Sequence, residues 1–109
     1  MSPAAPSKVS SLIQKAYSLH QQGKIDKAEK HYRKALKQEP ENFDALQGLG
    51  AIALHNKRYP QAITYLESAH DIMPDEPGLL TNLGLAYKHD NNNTKAEEHR
   101  LKPRGLFTI

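Results

Sequence analysis

Apolar residues recur along this chain at helical spacing, in short blocks, three of which end at Gly23, Pro40 or Pro74. Leu12, Ala16 and Leu19 fall on one face of a helix predicted over residues 10–21, and Gly23 breaks it. Ile25, Ala28, Tyr32, Ala35 and Leu36 form the apolar face of a second helix, predicted over residues 25–37. Pro40 stops it, because the residue before a proline is pushed out of the α region. The plan then repeats. Leu46, Leu49, Gly50 and Ala53 make one stripe, and Tyr59, Ala62, Leu66 and Ala69 make the next, closed by Pro74. Pro60 fits at a helix start, where a missing N–H costs little. Leu80, Leu83, Gly84 and Tyr87 open a third round. Asn91, Asn92 and Asn93 then read as a turn, and Thr94 to Glu97 as a capping box for a last helix.

The rounds have a fixed period. Ala28, Ala62 and Ala96 are each 34 residues apart, as are Pro40 and Pro74, and Ala16, Gly50 and Gly84. A period of this length signals a repeat architecture in which one helical pair cannot bury its apolar face alone and neighbours stack to form a continuous core. Small residues at these positions let helices approach closely, and the large residues between them fill the interlayer space.

The pattern resembles the tetratricopeptide repeat (TPR) family. Leu46, Leu49-Gly50, Tyr59, Ala62, Leu66, Ala69 and Pro74 carry the resemblance in the second repeat. Leu12, Ala16, Leu19, Gly23, Ala28, Tyr32, Ala35 and Pro40 carry it in the first, with Lys15 where Leu is usual. Leu80, Leu83-Gly84, Tyr87 and Ala96 carry it in the third. The resemblance implies an all-α, right-handed α-solenoid of about three helix-turn-helix repeats. The expected divisions are a disordered lead over residues 1–8, repeats over 9–42 and 43–76, an atypical partial repeat over 77–103, and a tail over 104–109. In the third repeat Arg100 stands where Tyr32 and Leu66 stood, and Pro103 where Ala35 and Ala69 stood, so the last helix is expected to end near Leu101 or Lys102. A polar capping helix is not legible there, which leaves four expectations: the apolar tail covers the last face, a partner does, the chain is a fragment, or the end is simply frayed.

Stacked repeats make extended binding surfaces. The resemblance implies that the first helices of successive repeats line a concave groove for a peptide segment of a partner protein. The groove positions are Ile13, Gln14, Tyr17, His20 and Gln21 in the first repeat, Gln47, Ala51, Leu54 and His55 in the second, and Thr81, Asn82, Leu85, Lys88 and His89 in the third. Tyr17, Ala51 and Leu85 are equivalent and form a ladder. Tyr17, Leu54 and Leu85 are expected as apolar anchors, with Gln14, Gln47 and Asn82 as hydrogen-bonding groups. The family's carboxylate clamp for the EEVD tails of heat-shock chaperones is not expected, because its Lys, Asn and Arg positions hold Ile13, Tyr17, Gly48, Gly78 and Asn82.

Composition narrows the classes further. The 109 residues include no Cys, so disulfides and thiolate chemistry are excluded, and a cytoplasmic location is the expectation. No apolar run reaches bilayer length, and residues 1–8 lack the apolar segment of a signal peptide. The net charge of +3 is segregated: residues 1–40 carry +5, residues 41–76 carry −4 and residues 77–109 carry +2. This polarity suits a second reading, an oligomerisation or docking module that self-associates through its uncapped end or belongs to a larger enzyme. A minor reading is nucleic-acid binding through Lys24, Lys27, Lys30, Arg33, Lys34 and Lys37, set back because these residues look spread around their helix and the aromatics look structural. His20, His55 and His89 come from three separate repeats and do not suggest a metal site, while His31, His70 and His99 look like surface residues. No phosphate loop, nucleophile elbow or His-Glu-x-x-His motif is present, so neither catalysis nor a cofactor is expected.

Overall fold

The computed structural model describes residues 7–90, which form five α-helices: α1 (Lys8–Gln21), α2 (Ile25–Gln38), α3 (Phe43–His55), α4 (Tyr59–Ile72) and α5 (Pro77–His89). The connections are three or four residues long, and such short links make consecutive helices antiparallel neighbours. Among the described residues no strand interrupts the series, and the architecture is an all-α helical-repeat solenoid. The turn at 91–93, the capping box at 94–97, Ala96, His99, Arg100, Pro103 and the tail lie outside the described residues.

The two kinds of helix start differently, for reasons visible in the sequence. The odd helices begin with side-chain caps. Ser7 Oγ accepts from the Ser10 N–H at 3.0 Å, Asn42 Oδ1 from the Ala45 N–H at 2.9 Å, and Glu76 Oε1 from the Leu79 N–H at 2.9 Å. Each satisfies one of the donors that a helix start leaves without an intrahelical partner. The even helices have no such cap. They follow a left-handed residue that closes the preceding helix: Gly23 at φ 80° after α1, and Lys57 at φ 62° after α3. The amides of Lys24 and Arg58 reach back to the carbonyls of Leu19 and Ala53 at 2.9 and 2.8 Å, the closing bond of a Schellman motif.

The alanines of the 34-residue period are fully buried where helices cross: Ala16, Ala28, Ala35, Ala62 and Ala69 are all at 0% exposure. One core layer joins Val9, Ala16, Leu19, Ala28, Tyr32 and Ala35 to Ala45, Leu49 and Ile52 of α3. The other joins Leu46 and Ala53 of α3 to Ala62, Ile63, Leu66 and Ala69 of α4 and to Leu79, Leu83, Ala86 and Tyr87 of α5. Helix α3 is therefore buried on two sides, and Leu36 and Tyr65 touch both layers. Two glycines of α3 permit this. A Cβ on Gly48 would stand 2.4 Å from Tyr32 Cζ, and one on Gly50 would stand 2.4 Å from Leu66 Cδ2.

Helix α5 departs from the expected stripe. Leu80 is 46% exposed and Gly84 is exposed, although their equivalents Leu46 and Gly50 are buried by α4. A Cβ on Gly84 would meet no atom of the described residues within 4 Å. The side of α5 facing α4 is built from Leu79, Leu83, Ala86 and Tyr87 instead. The other side would need a following helix, and that part of the sequence lies beyond residue 90. His31 and His70 are half-buried at the surface of α2 and α4, and His31 Nδ1 lies 2.8 Å from the Lys27 carbonyl of its own helix.

Candidate functional site

The odd helices form a continuous row. α1 packs on α3 and α3 on α5, whereas the backbones of α2 and α4 make no close approach. The odd helices are thus drawn together and the even ones splayed apart, which makes the row of odd helices the inner side of the curve. Every groove position named from the sequence lies in this row, on α1, α3 or α5.

These positions are not equally free. Tyr17 is 59% exposed and Leu85 39%, both large apolar side chains that the core does not use. Between them Ala51 is half-buried, so the ladder has two projecting ends and a shallow middle. Gln14, Gln21, His55, Thr81, Lys88 and His89 are exposed, and Ile13, His20, Gln47, Leu54 and Asn82 are half-buried. Ile13 and Leu54 each pack against a core layer, so Leu54 offers a docking peptide only part of its surface. Gln47 is also partly committed: its Nε2 donates to Glu76 Oε1 at 3.1 Å, tying α3 to the residue that caps α5. Nothing in the local sequence pattern flags this link across 29 residues. His89 stacks on Tyr59, with ring centroids 5.8 Å apart, joining the end of α5 to the start of α4. Below the ladder, burial raises the Tyr32 hydroxyl above its ordinary pKa, and Asp44 and then Tyr17 add to this.

Antiparallel packing sorts charge onto two edges of the row. The edge where the odd helices end carries His20, Lys24, His55, Lys57, Arg58, Lys88 and His89, with Asp26 and Asp90 as the acidic exceptions. The opposite edge carries Glu39, Glu41, Asp44, Asp71, Asp75 and Glu76, with Lys8 and Lys37 as the basic ones. The carboxylate of Glu76 is held below its ordinary pKa, first by the Leu79 N–H and then by Gly78 N–H and Gln47. Among the described residues no group of three or more His, Cys, Asp or Glu is arranged to hold a metal ion.

The basic residues of α2 correct one expectation. At 3.6 residues per turn, Lys27, Lys30, Lys34 and Lys37 fall within an arc of about 80° on the side away from Ala28, Tyr32 and Ala35. They form a stripe and are not spread around the helix; only Lys24 and Arg33 lie off it. Arg33 is paired with Glu29 at 2.6 Å, which keeps its guanidinium pKa raised.

Against known proteins, the family model described as "Tetratricopeptide repeat" matches residues 13–77. No curated protein matches the chain. The match runs from within α1 to the first residue of α5 and covers more than half of the chain.

Proposed function

The chain belongs to the tetratricopeptide repeat family, and on that premise we propose that it is a non-catalytic adaptor that holds a peptide segment of a partner protein on the row formed by α1, α3 and α5. Tetratricopeptide repeats mediate protein–protein interaction. The finer assignment is supported by one observation above all: Tyr17 and Leu85 project from equivalent positions of α1 and α5, and neither is needed by the core. It is contiguous apolar surface that marks an interaction site, so the reading takes Tyr17 and Leu85 together with the Ala51 step between them. A bound segment would cover both, cross the shallow step at Ala51 and meet amides on one side and basic groups on the other. Gln14 and Asn82 are the better hydrogen-bonding candidates, because Gln47 already serves Glu76.

The test is capture by the full chain beside a Tyr17→Glu/Leu85→Glu variant whose circular dichroism shows intact helix. A protein held by the first and lost by the second is the expected result. Its binding segment, made as a synthetic peptide, should then compete. Equal capture by both chains would sink the assignment.

A further inference from the structure

We propose that the outer face of α2 is a second docking surface, one that takes a helix of a partner protein bearing a stripe of carboxylates. Lys27, Lys30, Lys34 and Lys37 are all exposed and stand at i, i+3, i+7 and i+10 along about 15 Å of helix. None of the four is ion-paired with a carboxylate among the described residues.

The fold itself does not call for these lysines. The repeat supplies an internal control, because α4 occupies the same register one period later. There the equivalent exposed positions are Gln61, Thr64, Ser68 and Asp71, so a cationic stripe is not a requirement of an outer helix in this solenoid. Nor does the stripe help α2. Lys27 and Lys30, Lys30 and Lys34, and Lys34 and Lys37 are like-charged neighbours three or four residues apart, an arrangement that opposes helix formation. An anionic partner would relieve that repulsion.

The spacing favours a helix as the occupant. Steps of three, four and three residues are those at which one side of a neighbouring helix also presents its side chains. A partner with Glu or Asp at the same steps would match the stripe charge for charge. A nucleic acid is less well served. Tyr32, the aromatic residue of α2, is buried in the core and offers no stacking surface. The helix's one arginine, the residue type suited to bidentate phosphate contacts, is occupied by Glu29. These lysines are on α2, outside the row of odd helices that carries Tyr17 and Leu85, so the surface is tested independently of the groove.

The experiment uses the full chain and a fluorescent Ala-rich helical peptide with four Glu at i, i+3, i+7 and i+10. An isomer has the same composition but its Glu residues distributed around the helix. Anisotropy at low salt should show the striped peptide binding at least about fivefold tighter than the isomer, a ratio within reach of a few exposed ion pairs. Lys30→Gln/Lys34→Gln should remove most of that preference. Lys57→Gln/Arg58→Gln, which deletes the same charge from the other repeat, should leave it in place. Both pairs are exposed, and circular dichroism verifies the fold. Equal binding of the two peptides, equal loss in the two variants, or no binding would each overturn the proposal. So would tighter binding of a DNA duplex or a phosphatidylserine vesicle through the same lysines.

Discussion

Gly50 and Gly84 occupy the same repeat position 34 residues apart, and alanine at each should change stability in opposite directions. At Gly50 the added methyl would stand 2.4 Å from Leu66 Cδ2 and 2.5 Å from Leu66 Cγ. Leu66 is fully buried between α3 and α5, so its branch point has nowhere to move. Overpacking of this kind costs about 1–3 kcal/mol. Alanine recovers about 0.5–1 kcal/mol of the helix-interior penalty of glycine. The two ranges combine to a loss of up to about 2.5 kcal/mol, with about 1–2 kcal/mol as the central expectation. At Gly84 no atom of the described residues stands within 4 Å, so among them nothing opposes the propensity gain of about 0.5–1 kcal/mol. For a domain of this size 1 kcal/mol corresponds to about 4–8 °C. Gly50→Ala should therefore lower Tm by roughly 4–16 °C and Gly84→Ala raise it by roughly 2–8 °C. Thermal and urea unfolding followed by circular dichroism, with an unchanged urea slope, gives both numbers. A loss at both positions would refute the reasoning, since it would mean that a helix packs on Gly84 as α4 packs on Gly50.

Two further outcomes follow from the repeat comparison. Lys57 holds a left-handed conformation at φ 62° where the first repeat has Gly23 at φ 80°; Lys57→Gly should raise stability by about 0.5–1 kcal/mol, read from urea midpoints, once the entropy cost of glycine is subtracted from the strain it relieves. The folded-state pKa of Glu76 is depressed, so its contribution is complete above the ordinary carboxylate range and is lost as the pH falls through the lower folded value. Glu76→Gln should flatten this part of the acid limb of the stability profile while leaving the other carboxylates to titrate, and identical profiles for the two chains would contradict the capping role.

The buried architecture was largely legible because its signal is steric and periodic. Ala16, Ala28 and Ala62 must be small wherever helices cross, and the 34-residue spacing exposes that requirement without any structure. What escaped depends on partners distant in sequence. Leu80 carries the pattern of a buried residue, yet burial at that register needs a following helix, and Leu79 faces α4 instead. Gly48 matters because of Tyr32 on another helix, and its repeat equivalents are Gln14 and Asn82, so no periodicity points to it. Gln47 reads as a free groove amide until Glu76 is brought against it. The lysines of α2 needed only angular projection to be seen as a stripe. At the candidate site the register located the row of odd helices, but only burial separates the free Tyr17 and Leu85 from Leu54, which is partly spent on the core.

The central claim, that a partner segment lies along α1, α3 and α5, is tested most directly by site-specific photocrosslinking. Benzoylphenylalanine would replace Tyr17, Leu85 or, on the outer side of α4, Ser68 in the full chain. The account predicts that probes at 17 and 85 crosslink two sites, several residues apart, in one segment of the same partner and that the probe at 68 does not. Crosslinks from 68 alone, or equally from all three positions, would contradict it.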